Sequence, residues 1–243
     1  MEQNKEGRWE SKYWHPAVAV DAVVFGFNGR ELLLLLIQRG IEPYKGCWAL
    51  PGGFITQDDK SAKDAVLREL SEETTVKGVD PIEFGTFSDE RRDPRERVIS
   101  IAFFALVNQY EYSSVKGCDD ACNAQWYKLS ELPELAFDHR KIIDAALQSM
   151  QLRIHFEPIA FKLLGEEFTL SQLQNIYKVV LMLPDNTSGA NDIRNFKKKM
   201  LAQGYIKDTG RKLTGTPYRA PVLYSFNKEE YMSRKATAMS LEF

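Results

Sequence analysis

Residues 52–76 read GGFITQDDKSAKDAVLRELSEETTV. Within this stretch Ala62, Ala65, Val66 and Leu70 recur at helical spacing. Ser61 followed by Asp64 has the form of an N-terminal capping pair, so the spacing predicts a helix over residues 61–76. On that helix Glu69, Glu72 and Glu73 stand at i, i+3 and i+4 and project from one face. Like charges so placed destabilise a bare helix. A divalent cation among them reverses the sign, and magnesium takes such oxygen ligands together with substrate phosphates. Arg68 reaches Glu72 at i+4, and Gly52 and Gly53 let the backbone approach closely just upstream. An acidic pair alone is most often a solvated helix face. Pro51-Gly52-Gly53 followed by Arg68-Glu69-x-x-Glu72-Glu73 is far more restrictive.

Upstream, VAVDAVVFGF and ELLLLLIQR read as two strands joined by Asn28-Gly29-Arg30, a hairpin. Both runs are almost wholly apolar, which predicts strands buried on both faces. Downstream, IEFGTFSD, RVISIAFFALV and AQWYKL read as further strands, and AFDHRKIIDAALQSMQ as a second helix. Strands alternating with helices imply an α/β core.

Past Gln151 the pattern changes. RIHFEPIAFKLLGEEF reads as a connecting stretch. TLSQLQNIYKVVLML carries one apolar stripe, Thr169 and Gln172 form a capping box, and Pro184 ends that helix. DIRNFKKKMLAQGY is a further helix closed by Gly204, and residues 206–226 read as strand, turn-rich loop, strand. Helix, turn, helix, β-hairpin is the outline of a winged helix. Arg194, Lys197, Lys198 and Lys199 on its second helix, with Arg211, Lys212 and Arg219 on the wing, concentrate positive charge at one end of a chain whose net charge is −2. Phosphate contacts need such a surface, and Asn195 and Arg194 suit base edges.

The 243 residues are 44% hydrophobic and 27% charged, a globular composition with room for two modest domains. Three cysteines, Cys47, Cys118 and Cys122, make no disulfide framework, and CDDAC lacks the second pair of a zinc site. The apolar runs are too short to span a bilayer, and the polar N-terminus lacks a signal-peptide core, so the reducing cytoplasm is the expected compartment. Trp48 and Phe54 flank the glycine turn and suit either a stacked base or the core. The arginines of SDERRDPRERVIS suit either a grip on phosphate or ribose groups or a surface ion-pair network with Asp89, Glu90, Asp93 and Glu96, and Arg97 is favoured for the former because it leads directly into a strand. His139 is expected to make a structural hydrogen bond.

Residues 52–76 resemble the Nudix box, G-x5-E-x7-R-E-U-x-E-E-x-G-U with U apolar, through Gly53, Arg68, Glu69, Leu70, Glu72, Glu73 and Val76. Lys60 stands where the box has its first Glu, with one extra residue after Gly53; read without the gap, Asp59 takes that place. Thr75 replaces the later Gly. A second resemblance, to Nudix-related transcriptional regulators of the NrtR type, runs through IAFKLLGEEFTLSQLQNIYKVVL, NFKKKMLAQGYI and TGRKLTGTPYRAPVLYSF, with LAFDHRKII before the linker.

Together these imply an α/β Nudix fold, a mixed sheet between helices, followed by a winged helix-turn-helix domain. The expected divisions are a flexible 1–14, a Nudix-like 15–150, a linker 151–168, a winged helix 169–228 and a tail 229–243. The resemblance implies Glu69, Glu72 and Glu73 as ligands of Mg²⁺ or Mn²⁺, with Arg68 completing the catalytic set. Gly52, Gly53, Phe54 and Arg97 are the expected ligand-binding residues. The leading expectation is a homodimeric regulator that senses a nucleotide such as ADP-ribose and binds double-stranded operator DNA. Two rivals stand beside it: an ADP-ribose pyrophosphatase with an accessory domain, and a pentose-sensing regulator of the same architecture. With Lys60 expected beside the metal site, hydrolysis is expected to be slow or absent.

Overall fold

The computed structural model describes residues 2–3, 9–10, 13–115, 121–183, 192–215 and 220–240, with backbone alone at 2–3, 9–10, 121–122 and 235–240. Cys118, Pro184 and Arg219 lie outside the described residues. At the start of the chain, where fraying is expected, β1 (Glu2–Gln3) pairs antiparallel with β2 (Trp9–Glu10).

The two apolar runs are β3 (Ala17–Phe27) and β4 (Leu32–Arg39). They form the expected hairpin, but their ladder covers only Phe25–Phe27 against Leu32–Leu34. Beyond it the two strands part. β5 (Trp48–Ala49) pairs with β4 inside the gap, and β6 (Gly52–Phe54) pairs with β3. Then come α1 (Ala62–Thr74), β7 (Ile82–Phe87), β8 (Val98–Asn108) and β9 (Ala121–Lys128). β8 runs parallel to β3 without a register shift from Ala17↔Val98 to Phe27↔Asn108. β7 is antiparallel to β8, and β9 to the other edge of β4. The result is the expected mixed sheet.

Side chains on neighbouring strand positions point to opposite faces, and both faces are covered. Val20, Ala22 and Val24 pack with Leu35, Phe103 and the Ala65, Val66 and Leu70 face of α1. Val23, Phe25 and Phe27 pack with Leu34, Leu36, Phe104 and the Ile142, Ile143 and Met150 face of α2 (His139–Arg153). This two-sided burial explains why the runs are not alternately polar. Each buried Val, Leu, Ile, Phe or Met among them contributes about 1.5–3 kcal/mol.

α1 begins as predicted, with Ser61 Oγ accepting the Asp64 amide at 3.1 Å. Its end is informative. Thr75, a β-branched residue at the position of the motif's Gly, adopts the left-handed conformation with φ 63° and ψ 4°. The turn into the buried Val76 requires that geometry whatever residue occupies it.

A buried polar cluster fastens α2 to the sheet. Arg92, 7% exposed, donates through Nη2 to Asp138 Oδ1 at 2.9 Å and to Asp21 Oδ2 at 3.2 Å. Ser100 Oγ donates to the same Asp21 oxygen. His139 makes the structural bond expected of it. Its Nδ1 accepts the Leu50 amide at 2.9 Å, which assigns the ring proton to Nε2, 3.4 Å from Asp21 Oδ1. Burial pushes the imidazolium pKa down, against the pull of Asp21.

The second half departs from its expected divisions. Residues 151–168 are not an open linker. α2 runs on to Arg153, and a 3₁₀ turn, Ile159–Leu163, buries Ile159, Ala160, Phe161 and Leu163 in the same core as Phe25 and Phe104. β10 (Phe168–Thr169) precedes α3 (Leu170–Val180), whose capping box is formed as predicted. α4 (Ile193–Ala202), β11 (Ile206–Lys212) and β12 (Val222–Phe226) follow, with sheet order β10-β12-β11. The expected tail is instead a helix, α5 (Lys228–Ser240). It is anchored where Tyr231 meets Tyr205 and Phe226, and Arg234 Nη1 donates to Ala202 O. Among the described residues, no helix is long and apolar enough to cross a membrane.

Two stability measurements test this account. Thr75 is exposed and holds a positive φ, so Thr75→Gly should raise the unfolding free energy by about 1 kcal/mol in urea melts. No change would mean that the turn costs Thr nothing. For His139, the unfolded chain takes up a proton that the folded ring resists. Stability should therefore be fully present above the ordinary histidine pKa of about 6.5 and fall as pH drops through it. His139→Asn, which retains an acceptor for Leu50, should flatten the slope of stability between about pH 5.5 and 7.5. An equal slope in both proteins would refute the assignment.

Candidate functional site

The split between β3 and β4 places β6 against the start of α1. Gly52 lies so close to β3 that a Cβ would collide with Val20 O, and a Cβ on Gly53 would collide with the Glu69 carboxylate. With no side chains there, the loop closes on the helix: the Gly52 amide donates to Glu73 Oε2 at 2.8 Å, and Arg68 Nη2 donates to Phe54 O at 3.1 Å. Glu69, Glu72, Glu73, Arg68, Gly52, Gly53 and Phe54 are thus brought together around one cleft, with Ile41 and Arg95 completing its wall.

Arg68 is the internal counter-ion of this cleft. Its Nη1 donates to Glu69 Oε1 at 2.8 Å and Glu72 Oε2 at 3.0 Å. Nε and Nη2 form a two-pronged pair with Asp59, both bonds 3.0 Å. That pair settles the register left open by the extra loop residue. Asp59, not Lys60, takes the place of the motif's first carboxylate, and Lys60 is exposed and is not among the residues lining the cleft. The expected cation beside the carboxylates is therefore not Lys60. The Arg68 fork holds the Asp59 carboxyl far below its usual range, and Arg68 itself is pushed up, chiefly by Asp59.

The remaining carboxylates are less comfortable. Burial raises Glu69 despite Arg68 beside it, and burial pushes Glu73 up to about 8. Asp59, Glu69 and Glu72 share the one Arg68 guanidinium, and Glu73 beside them is held by the Gly52 amide. Hard oxygen donors in negative excess suit a divalent cation. They are not preassembled: among the described residues, no three His, Cys, Asp or Glu side chains form a ready metal cage. Glu69 and Glu72 are instead turned onto Arg68.

Arg97 does not line this cleft. It immediately precedes β8, its carbonyl accepts the Ala17 amide, and its side chain is half-buried. Arg95 stands there instead, drawn back by Asp93 through bonds of 3.0 and 2.8 Å and laid over the Phe54 ring at 5.1 Å. The signal for Arg95 was its i, i+2 spacing from an aspartate, which sequence alone does not separate from a surface ion pair. Trp48 packs in the core, edge-on to Tyr127 at 4.8 Å, and leaves Phe54 as the exposed ring.

A second surface lies on the distal half. α4 is capped by Asp192, which accepts the Arg194 and Asn195 amides. Arg194, Asn195, Lys197, Lys198 and Lys199 are all exposed, the Arg194 side chain by 92%. Two expected phosphate-binding side chains are partly engaged: Lys197 Nζ lies 5.5 Å from the Tyr224 ring centre, and Arg211 pairs with Glu167 at 2.5 Å. Lys212 is exposed on β11.

The NUDIX domain family model matches residues 15–146, and that of the NrtR DNA-binding winged helix domain matches residues 160–226. The chain is 29% identical to the ADPR responsive transcriptional repressor of Acinetobacter baylyi, over 91% of this chain and 86% of that one. It is 44% identical to an ADP-ribose pyrophosphatase of Methanocaldococcus jannaschii, over 54% of this chain and 73% of that one. Among solved structures, Shewanella oneidensis NrtR complexed with a 27mer DNA aligns with a TM-score of 0.73 at 29% identity, covering 88% and 95% of the two chains. The NUDIX domain of the same protein complexed with ADP ribose aligns with a TM-score of 0.53 at 31% identity, covering 59% and 95%. With a carboxylate helix, a glycine loop and a matched domain over more than half its length, this chain belongs to the Nudix family, in the form that joins the Nudix domain to an NrtR-type winged helix.

Proposed function

We propose that this protein is a transcriptional repressor whose Nudix domain binds ADP-ribose, together with Mg²⁺ or Mn²⁺, and so controls the hold of the winged helix on operator DNA. The observation that carries this reading is the core that α2 shares with the winged helix. α2 starts at the Asp21–Arg92–Asp138 cluster beside the glycine loop. It ends against α3, where Gln151 Nε2 donates to Val180 O at 2.9 Å and Met150 shares a core with Leu173 and Ile176. A change at the cleft therefore has a packed route to α4. A ligand shifts DNA affinity only by its difference in affinity for the two states, and the shift is reciprocal.

Glu69, Glu72 and Glu73 are the residues that would hold the cation. The raised Glu73 and the negative excess in the cleft fit such a group. Bound there, a divalent ion supplies the positive charge that lets carboxylates and a diphosphate share one cleft. Of the rival readings, the retained carboxylates favour a nucleotide over a free pentose. The names of the Acinetobacter repressor and of the ADP-ribose complex support the same choice. A homodimer on a pseudo-palindromic operator is the arrangement that suits paired winged helices. Hydrolysis asks more than binding: an oriented water and a phosphoanhydride held in line. With Glu69 and Glu72 turned onto Arg68, turnover is expected to be slow.

Gel shifts on the DNA upstream of the gene test the reading. ADP-ribose with Mg²⁺ should raise the melting temperature and release DNA, while free arabinose should do neither. Arg194, Lys198 and Lys199, the freest cations of α4, should each, on change to Ala, reduce the salt slope of DNA binding by about 0.9 for every phosphate that the side chain neutralises. An unchanged slope in the triple variant would remove α4 from the interface, and stabilisation by arabinose alone would replace the effector. AMP release from ADP-ribose at about 1 s⁻¹ or faster, abolished by Glu73→Gln, would make the protein an enzyme first.

A further inference from the structure

Two shallow pockets meet at one pair of side chains. One is the carboxylate cleft of α1. The other lies over the Asp21, Arg92 and His139 cluster and includes Val98 and Phe137. Gly52, Gly53, Phe54 and Arg95 belong to both, so the Phe54–Arg95 contact is the partition between them.

The partition has unusual chemistry. Phe54 is apolar yet 36% exposed, and its ring is covered by the Arg95 guanidinium, 5.1 Å from the ring centre. The same guanidinium is 5.9 Å from the Phe137 ring, which Tyr44 meets edge-on at 4.8 Å and Arg39 covers at 4.9 Å. A guanidinium is a flat, delocalised and weakly hydrated cation, which is why it lies on aromatic faces. A purine ring has the same preference for such a face and a larger surface to satisfy it. Arg95 is also tethered at its other side: Asp93, 7% exposed, accepts both of its ion-pair bonds. A guanidinium displaced from the ring stays beside the cleft, within reach of a phosphate.

We propose that the face of Phe54 now covered by Arg95 is the stacking surface for the heterocyclic base of the ligand, and that Arg95 is a movable plug between the two pockets. Base binding displaces the guanidinium, joins the pockets into one slot and turns Arg95 toward the diphosphate. This assignment rests on the ADP-ribose reading and adds the base recognition to it.

Calorimetric titration of the full chain with Mg²⁺ tests it, using ADP-ribose, base-free ribose 5-phosphate and phosphate-free adenosine as probes. Phe54→Ala should weaken ADP-ribose about tenfold, the loss of one stacking ring, and leave ribose 5-phosphate unchanged. Phe54→Trp should restore ADP-ribose binding and shift the adenine absorbance band on binding. Arg95→Ala should weaken ADP-ribose but bind adenosine more tightly than the wild type does, because no plug remains to displace. Equal loss of ADP-ribose and ribose 5-phosphate in Phe54→Ala, or no loss of either, overturns the stacking surface. Adenosine binding by Arg95→Ala that is weaker than wild type, equal to it or absent overturns the plug. A wild type that binds no ADP-ribose overturns the effector reading, and this one with it.

Discussion

Gly52 and Gly53 lie where no side chain fits, one against the backbone of β3 and the other against Glu69. That steric constraint governs the site. β6 can enter the gap between β3 and β4 only as bare backbone, and because it is bare its amide reaches Glu73 and the following carbonyl reaches Arg68. The strand split, the placement of α1 and the inward turn of the carboxylates are one arrangement seen from three sides. A methyl group at Gly52 would have to move the backbone of β3, whereas one at Gly53 would push the Glu69 carboxylate out of its place in the cleft.

Around this constraint the charges are distributed unevenly. Arg68 serves Asp59, Glu69 and Glu72 at a half-exposed position, and Arg92 serves Asp21 and Asp138 out of water. Removing one partner from a buried group of the second kind leaves an uncompensated charge and costs about 3–5 kcal/mol. The first kind is looser, since solvent and other cations compete for its partners. The inner cluster therefore acts as structure, holding α2 to the sheet, while the outer one remains open to exchange with a ligand.

Much of this was legible in the sequence, wherever a local rule decides the outcome. The Ser61 cap, the Thr169 capping box, the apolar hairpin and the Glu69–Glu73 face follow from spacings of a few residues. Legibility ended where partners are distant. Asp59 and Lys60 are neighbours in the chain, and only the position of Arg68 in space selects between them. Arg95 and Arg97 differ in which one is released from the β3–β8 ladder, a matter of strand register. Residues 159–163 carry an apolar signal, IAFKL, that short length disguised as a connector. α5 has a polar sequence and few apolar anchors, so it reads as a tail until Tyr205 and Phe226 supply a surface for Tyr231.

The Ile159–Leu163 turn has a consequence for how such a molecule can change over time. Phe161 stacks on Phe226 at 4.6 Å and touches Phe168 and Tyr205, while its turn lies in one core with Phe104 and Leu106 of the sheet. The two halves are consequently not interchangeable cassettes. A chimera spliced anywhere in this segment would strip apolar faces from both parents, however well each half folds in its own context. The exposed outer face of α4 can change by substitution without disturbing either core, whereas recombination at the waist disturbs both halves.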